Sequence, residues 1–342
     1  MANVQRARVV LATSFVLVLV GCGHDDGGAA AAKAAYPRDA ELRLNHLQAK
    51  GTHNSYHIET AGNTEPSWMY THAPLDVQLD QQGVRMVELD THWNKDTSTF
   101  DVYHLTLVDQ GTTCTTLPLC LTVLKGWSDA HPLHHPIFVM FEPKDDVPLW
   151  ALADPEGYVT EFETEILSVW PRERIVKPDD VRAGAATLRD AVTTQGWPTL
   201  AASRGKVLFF VNNTDKFRTA YTRGGVGTDG RLMFAQPDTQ ADPYAAVLVL
   251  NDAVNDRAAI ESGVRAGFVV RTFADGAGDI VAGVPEQALA GGAHIISTDY
   301  PVLGDAGYSF VVPGGTPSRC NPLIAPTGCT AADIEDPTRL VR

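Results

Sequence analysis

His46-Leu-Gln-Ala-Lys-Gly-Thr-His-Asn-Ser-Tyr-His57 passes from a short, partly apolar segment straight into a cluster of polar side chains. The junction reads as the C-terminal end of a first β-strand, with the imidazole of His53 beside the amide of Asn54. Three further strand-like runs end in the same way: Val84-Arg-Met-Val-Glu-Leu-Asp90, Phe100-Asp-Val-Tyr-His104 and Pro136-Ile-Phe-Val-Met-Phe-Glu142. A core has no use for His, Asn, Glu or Asp at the end of strand after strand, whereas a site does.

Working outward, eight β-like runs can be placed at 47–53, 84–90, 100–104, 136–142, 206–212, 231–236, 267–273 and 293–299. Several are nearly continuous apolar runs, as expected of parallel strands covered on both faces. Helical candidates Leu75 to Gln82, Leu121 to Ala130, Tyr158 to Trp170, Leu200 to Ser203, Asp215 to Thr222, Ala253 to Ala266 and Pro285 to Ala290 fill most of the gaps. Strand and helix in alternation predict a single catalytic domain of the α/β class, a somewhat irregular (β/α)8 barrel over 41–312. The link between the second and third runs is too short for a helix, and the stretch from Glu142 to Lys206 leaves room for an extra loop. Barrel chemistry sits at the C-terminal strand ends. His131, His134 and His135 precede the fourth run and belong to the opposite face, while His57, His72 and His92 read as satisfied surface histidines on upper loops.

The 342 residues are 44% hydrophobic, enough for a sizeable core, and carry a formal charge of -14. No basic stripe is present to displace counterions from phosphates, which excludes nucleic acid as a partner and strong electrostatic attraction to an anionic membrane. Arg6 and Arg8, the apolar run Val9 to Val20 and Leu19-Val-Gly-Cys22 match an export signal over 1–22 with a lipidation box at Cys22. An ordinary cleaved secretory peptide is the alternative; a spanning helix would need about 20 apolar residues, more than this run supplies. The Gly- and Ala-rich residues after Cys22 form a tether over 23–40, so the chain is expected to be exported, as a cell-envelope lipoprotein or a secreted monomer. Cys114, Cys120, Cys320 and Cys329 then remain in an oxidising compartment. Three pairings are possible, and proximity favours Cys114 with Cys120 and Cys320 with Cys329, the latter in a C-terminal tail over 313–342. A metal site is the competing reading, but the spacings are wide and no His partners them.

Asn54, Glu88, Asp90 and Glu142 offer only oxygen ligands, and Glu88 and Asp90, two apart on one strand, point to the same face. Several carboxylates without nitrogen or sulfur select a hard cation, and Ca2+ accepts this irregular geometry more readily than Mg2+. The imidazoles of His53 and His104 can sit on opposite sides of a phosphodiester, one holding a proton while the other lacks it. Lys144 and Arg271 are placed either to bring positive charge to a substrate phosphate or to neutralise the acidic rim.

Gly51-Thr-His-Asn-Ser-Tyr56, Val87-Glu-Leu-Asp90, Val102-Tyr-His104 and Phe141-Glu-Pro-Lys144 together resemble the motifs of the calcium-dependent phosphatidylinositol-specific phospholipases C, in particular the secreted bacterial branch. Val269-Val-Arg-Thr-Phe-Ala-Asp275 and Gly292-Ala-His-Ile-Ile-Ser-Thr-Asp-Tyr-Pro301 resemble the last two barrel strands of that branch. The resemblance implies His53 and His104 as the catalytic pair and Asn54, Glu88, Asp90 and Glu142 as calcium ligands; Lys144, Arg271 and Tyr300 are the expected substrate contacts. It implies a phospholipid substrate at a membrane surface, cleaved by attack of the inositol 2-hydroxyl on phosphorus to give diacylglycerol and a cyclic phosphodiester. Phe273 stands where a second basic residue would serve a multiply phosphorylated headgroup, which points to plain phosphatidylinositol.

A glycerophosphodiester phosphodiesterase or a sphingomyelinase D would also combine two His with metal-binding acids. The first strand, however, lacks the His-Arg-Gly opening expected of the former. A non-catalytic calcium- and lipid-binding protein is a third possibility, against which both His53 and His104 count, because recognition alone needs no proton carrier.

Overall fold

The computed structural model describes residues 36–144, 154–275, 280–304, 307–314 and 317–340; Cys22, the leader and all but the end of the tether lie outside them. Eight parallel strands curl into a nearly closed barrel: β1 (Leu47–Thr52), β2 (Val84–Asn94), β4 (Ile137–Pro143), β5 (Val207–Val211), β6 (Phe234–Ala235), β7 (Val247–Val249), β8 (Val269–Phe273) and β9 (Ile295–Thr298). They lie side by side in the order β6-β5-β4-β2-β1-β9-β8-β7. Two strands stand outside this ring. β3 (Thr99–Val102) pairs antiparallel with the end of β2, and β10 (Ser318–Cys320) pairs antiparallel with β1.

The strands are buried on both faces because alternate side chains enter different packing layers. Along β4, Phe138 and Met140 belong to one apolar cluster with Leu208, Phe210 and Phe234, whereas Val139 and Phe141 belong to another with Leu121, Leu124, Phe162 and Ile166. The second cluster is where the helices Leu117–Ala130 and Pro155–Val169 pack on the barrel wall.

The predicted architecture is present, with two corrections. The run at 100–104 is not a barrel strand, since β2 outgrows the barrel by several residues and turns back on itself through a hairpin. The ring is completed instead by Val247-Leu-Val249, a three-residue strand too short to give a periodic signal. The interval after Glu142 holds the short helices Pro178–Arg182 and Leu188–Thr194 beside Pro155–Val169. Both disulfides form as proximity suggested, Cys114 with Cys120 and Cys320 with Cys329. Arg85, at the start of β2, is buried against Glu335 near the chain end, and Glu335 also accepts from the His135 amide, so the last residues close the barrel's lower end.

Candidate active site

The strand ends assemble the site from the backbone upward. Immediately after β1 the chain turns through Asn54 at φ +42°, a left-handed conformation that Asn tolerates better than most residues. Ser55 then locks this turn to β2: its amide donates to the Glu88 carbonyl at 3.0 Å, and its hydroxyl accepts from the Glu88 amide at 2.8 Å. In the β2–β4 pair Asp90 stands directly opposite Glu142, and the Lys144 amide donates to the Thr91 carbonyl to keep the end of β4 alongside.

These constraints bring Glu88, Asp90 and Glu142 together, with one carboxylate oxygen from each within 4.8 Å of the others. Glu88 and Asp90 are buried and Glu142 is partly open. Burial raises the Glu88 carboxyl and lifts that of Asp90 to about 7, with Glu142 adding to both. Burial acts in the same sense on Glu142, but Lys144 outweighs it and holds this carboxyl below its usual range. Lys144 Nζ lies 2.8 Å from both Asp90 Oδ2 and Glu142 Oε1. Arg271 is buried at the edge of the cluster, with one guanidinium nitrogen 2.8 Å from Glu88 Oε2, another donating to Ser297 Oγ at 3.1 Å and the third to Asn251. Asn54 is buried beside the acids and its Oδ1 accepts from Tyr56 at 3.2 Å.

Each of the two singled-out imidazoles is held through Nδ1 by a buried carboxylate. His53 Nδ1 is 2.8 Å from Asp299, at the end of β9, and His53 Nε2 is 4.0 Å from Glu88. Burial disfavours the His53 cation, but Asp299 and then Glu88 outweigh it and raise the ring to about 9. His104 Nδ1 is 2.9 Å from Asp109, and burial is the largest influence on this ring, lowering it from its ordinary value. A chain of aromatic rings connects the two, with centroids 6.5 Å apart for His53 and Tyr70, 4.6 Å for Tyr70 and His57, and 6.4 Å for His57 and His104.

Tyr300 lies two residues beyond β9 and lines a cleft with Asp299, Tyr70 and His72. His57, His72 and His92 correct the surface reading, because all three are buried. His57 bonds the Tyr70 carbonyl and Asp109, His72 bonds the His53 carbonyl, and His92 stacks on Tyr103 at 3.9 Å. Asp299 and Asp109 were not among the expected site residues. Asp299 obeys the strand-end rule used for the others, whereas Asp109 sits in the loop after β3, where nothing in the sequence marks it.

The family model described as "Phosphoinositide phospholipase C, Ca2+-dependent" matches residues 42–101 and 91–322, more than half of the chain. The chain belongs to this family. Its members are phosphodiesterases, and Ca2+ is their cofactor. Among solved structures, the chain resembles a calcium-dependent phosphoinositol-specific phospholipase C from a Gram-negative Pseudomonas sp., with TM-score 0.61 and 20% identity over 83% of this chain and 97% of that one. It also resembles a Ca2+-dependent phosphatidylinositol-specific phospholipase C from Streptomyces antibioticus, with TM-score 0.57 and 20% identity over 76% and 95% of the two chains. At such identity these likenesses show a common fold. No curated protein sequence matches the chain.

The acidic cluster fits the family's cation. Asp90 Oδ1 is buried without a hydrogen-bond donor, and three carboxylates share the space with one ammonium, that of Lys144 between Asp90 Oδ2 and Glu142. An oxygen-only donor set of this charge suits Ca2+.

Proposed function

We propose that this phospholipase cleaves phosphatidylinositol at a membrane surface into diacylglycerol and a cyclic inositol phosphate. The inositol 2-hydroxyl oxygen bonds to phosphorus while the bond from phosphorus to the diacylglycerol oxygen breaks. One imidazole accepts the hydroxyl proton and the other gives a proton to the departing alkoxide, with His53 and His104 in these two roles. Glu88, Asp90 and Glu142, with Asn54, would hold the calcium ion, which when bound lowers the pKa of the nucleophile and offsets negative charge gathering at phosphorus. Lys144 and Tyr300 contact the substrate headgroup in this reading, and Arg271 keeps Glu88 in place beneath it.

The observation that carries the proposal is the pair of imidazoles, each anchored by a buried carboxylate, His53 standing beside the acidic cluster and His104 joined to it through the rings of His57 and Tyr70. Such anchoring fixes ring orientation and leaves Nε2 of each ring for proton transfer. A related structure from Pseudomonas sp. is described as a myo-inositol complex, which agrees with an inositol headgroup. Plain phosphatidylinositol is the preferred substrate in this reading, because Arg271 and Lys144 are both paired with acids rather than presented to an extra phosphate. Export and acylation at Cys22 would keep the enzyme at the membrane that supplies its substrate.

Phosphorus NMR of the products tests the reaction. A cyclic inositol phosphate signal that appears with calcium and not with chelator is expected. Glycerol phosphate or a cyclic lysophospholipid would replace the proposal with one of the other lipid phosphodiesterase chemistries, and no new signal with calcium present would leave only binding.

A further inference from the structure

The loop that follows β3 contains a carboxylate on which three hydrogen-bond donors converge. Asp109 is buried, and its Oδ2 lies 2.9 Å from His104 Nδ1 and 2.9 Å from His57 Nε2, while Oδ1 accepts from the Thr60 hydroxyl at 3.1 Å. The backbone is fixed as well, since Asp109 and Leu105 exchange amide-to-carbonyl bonds at 2.9 and 3.0 Å. The loop bearing Asp109 is tied in turn to the β1 loop, where the Ile58 amide donates to the Gly111 carbonyl and the Thr113 amide to the Tyr56 carbonyl.

From this geometry we infer that Asp109 is a positioning residue for the phosphodiester reaction: it fixes His104 as the Nδ1–H form, leaving Nε2 as the only ring nitrogen able to exchange a proton with substrate. The inference rests on His104 being the proton carrier proposed above. An ionised carboxylate accepts hydrogen bonds and donates none, so the imidazole nitrogen facing it carries hydrogen. An imidazole with a fixed tautomer needs no rearrangement before transfer, and a misplaced tautomer removes the acceptor or donor from where it is used. His57 and Thr60 keep the carboxylate from turning toward other partners. His57 itself is buried, with its other nitrogen on the Tyr70 carbonyl at 2.9 Å, so it acts on Asp109 and not on substrate. The site therefore extends one shell beyond the residues that touch the reacting phosphate, through a loop and not through a barrel strand.

Proton-detected nitrogen-15 spectra of the histidine-labelled full chain, with the His104 signals assigned by comparison with His104→Gln, test the inference without reference to activity. The expected spectrum of His104 near neutral pH shows a protonated Nδ1 and a pyridine-like Nε2. A protonated Nε2 with a bare Nδ1, or fast averaging between the two forms, overturns it. Asp109→Asn gives the second arm. Its amide can offer hydrogen to Nδ1, so the tautomer is expected to reverse and kcat to fall about 10²- to 10⁴-fold, with KM within about threefold and the melting temperature within a few degrees of the parent. Unchanged kcat in a folded Asp109→Asn protein overturns the inference. Should that variant fail to fold, the spectrum of the unmodified chain still decides. If His104→Ala kept full turnover, the proposed reaction would lose its proton carrier while the spectrum reported independently on Asp109.

Discussion

Arg271 shows what a single residue does here. Its guanidinium is buried, lies over the Phe273 ring at 3.9 Å and has three protein partners, one of them Glu88. Removing one member of a buried ion pair strands the other, at about 3–5 kcal/mol. Arg271→Met is therefore expected to lower the melting temperature by several degrees in chelator. The loss should be smaller with calcium, because a bound cation takes over the compensation of Glu88; differential scanning calorimetry in both conditions checks this. His53→Ala and His104→Ala are each expected to reduce turnover of phosphatidylinositol at least about 10²-fold, the lower end for a positioned acid or base, with circular dichroism unchanged. Residue identities at the strand ends were legible in the sequence because barrel topology dictates where such side chains point. What the partners of those residues would be was not, since Asp299 meets His53 across 246 positions of chain.

At the scale of elements, the decisive departure from expectation is β2. Its run was expected to end at Asp90, but the strand continues to Asn94 and folds back as β3, which carries His104 in on a hairpin instead of a barrel strand. A run of five residues that reads as a strand gives no indication of whether its neighbour will be parallel or antiparallel, and the short hairpin turn was the only clue. Val247–Val249 escaped notice for the opposite reason, since three residues cannot display a period. The β3 loop is held to the β1 loop at Gly111, where any Cβ would run into the Ile58 carbonyl. Gly111→Ala is expected to push these loops apart, displacing Asp109 and His57 together. The predicted signature is at least tenfold lower turnover with a melting temperature close to that of the parent, measured on the same preparation.

For the molecule as a whole, stability should depend on acidity in a definite direction. His134 and His294 are held down to about 3, and His72, His92 and His135 to about 4, in each case chiefly by burial. His294 shows why: its Nδ1 accepts from the Val270 amide while Nε2 donates to the Asn45 carbonyl, an arrangement only the neutral ring can make. The unfolded chain binds protons at these rings from about pH 6.5 downward and the folded chain does not, so their contribution is present above that pH and lost as pH falls toward 4. Asp90 at about 7, Asp275 at about 6, the Glu88 and Glu165 carboxyls raised by burial and His53 at about 9 act in the opposite sense, but His46 and His104, lowered by burial, join the five, and seven rings outnumber these five groups. The melting temperature is expected to drop by roughly 5–10 °C between pH 6.5 and pH 5, and a flat or rising profile would contradict the burial of these rings. Calcium at about 100 times its dissociation constant should add about 2.7 kcal/mol, and magnesium less, in thermal shift measurements.

Among the described residues, no ladder joins β6 to β7, so the ring of strands is a sheet rolled until its two edges meet without being stitched. The strands that bear Glu88, Asp90 and Glu142, and the one that leads into Asn54, lie in the middle of that sheet, each bonded to neighbours on both sides. Backbone amides at Phe234–Ala235 and Val247–Val249 have a partner strand on one side alone. When the molecule breathes, exchange with solvent deuterium should begin along this unfastened edge and reach the reactive half last, which would let the enzyme yield to heat or strain on its far flank while its working geometry stays intact.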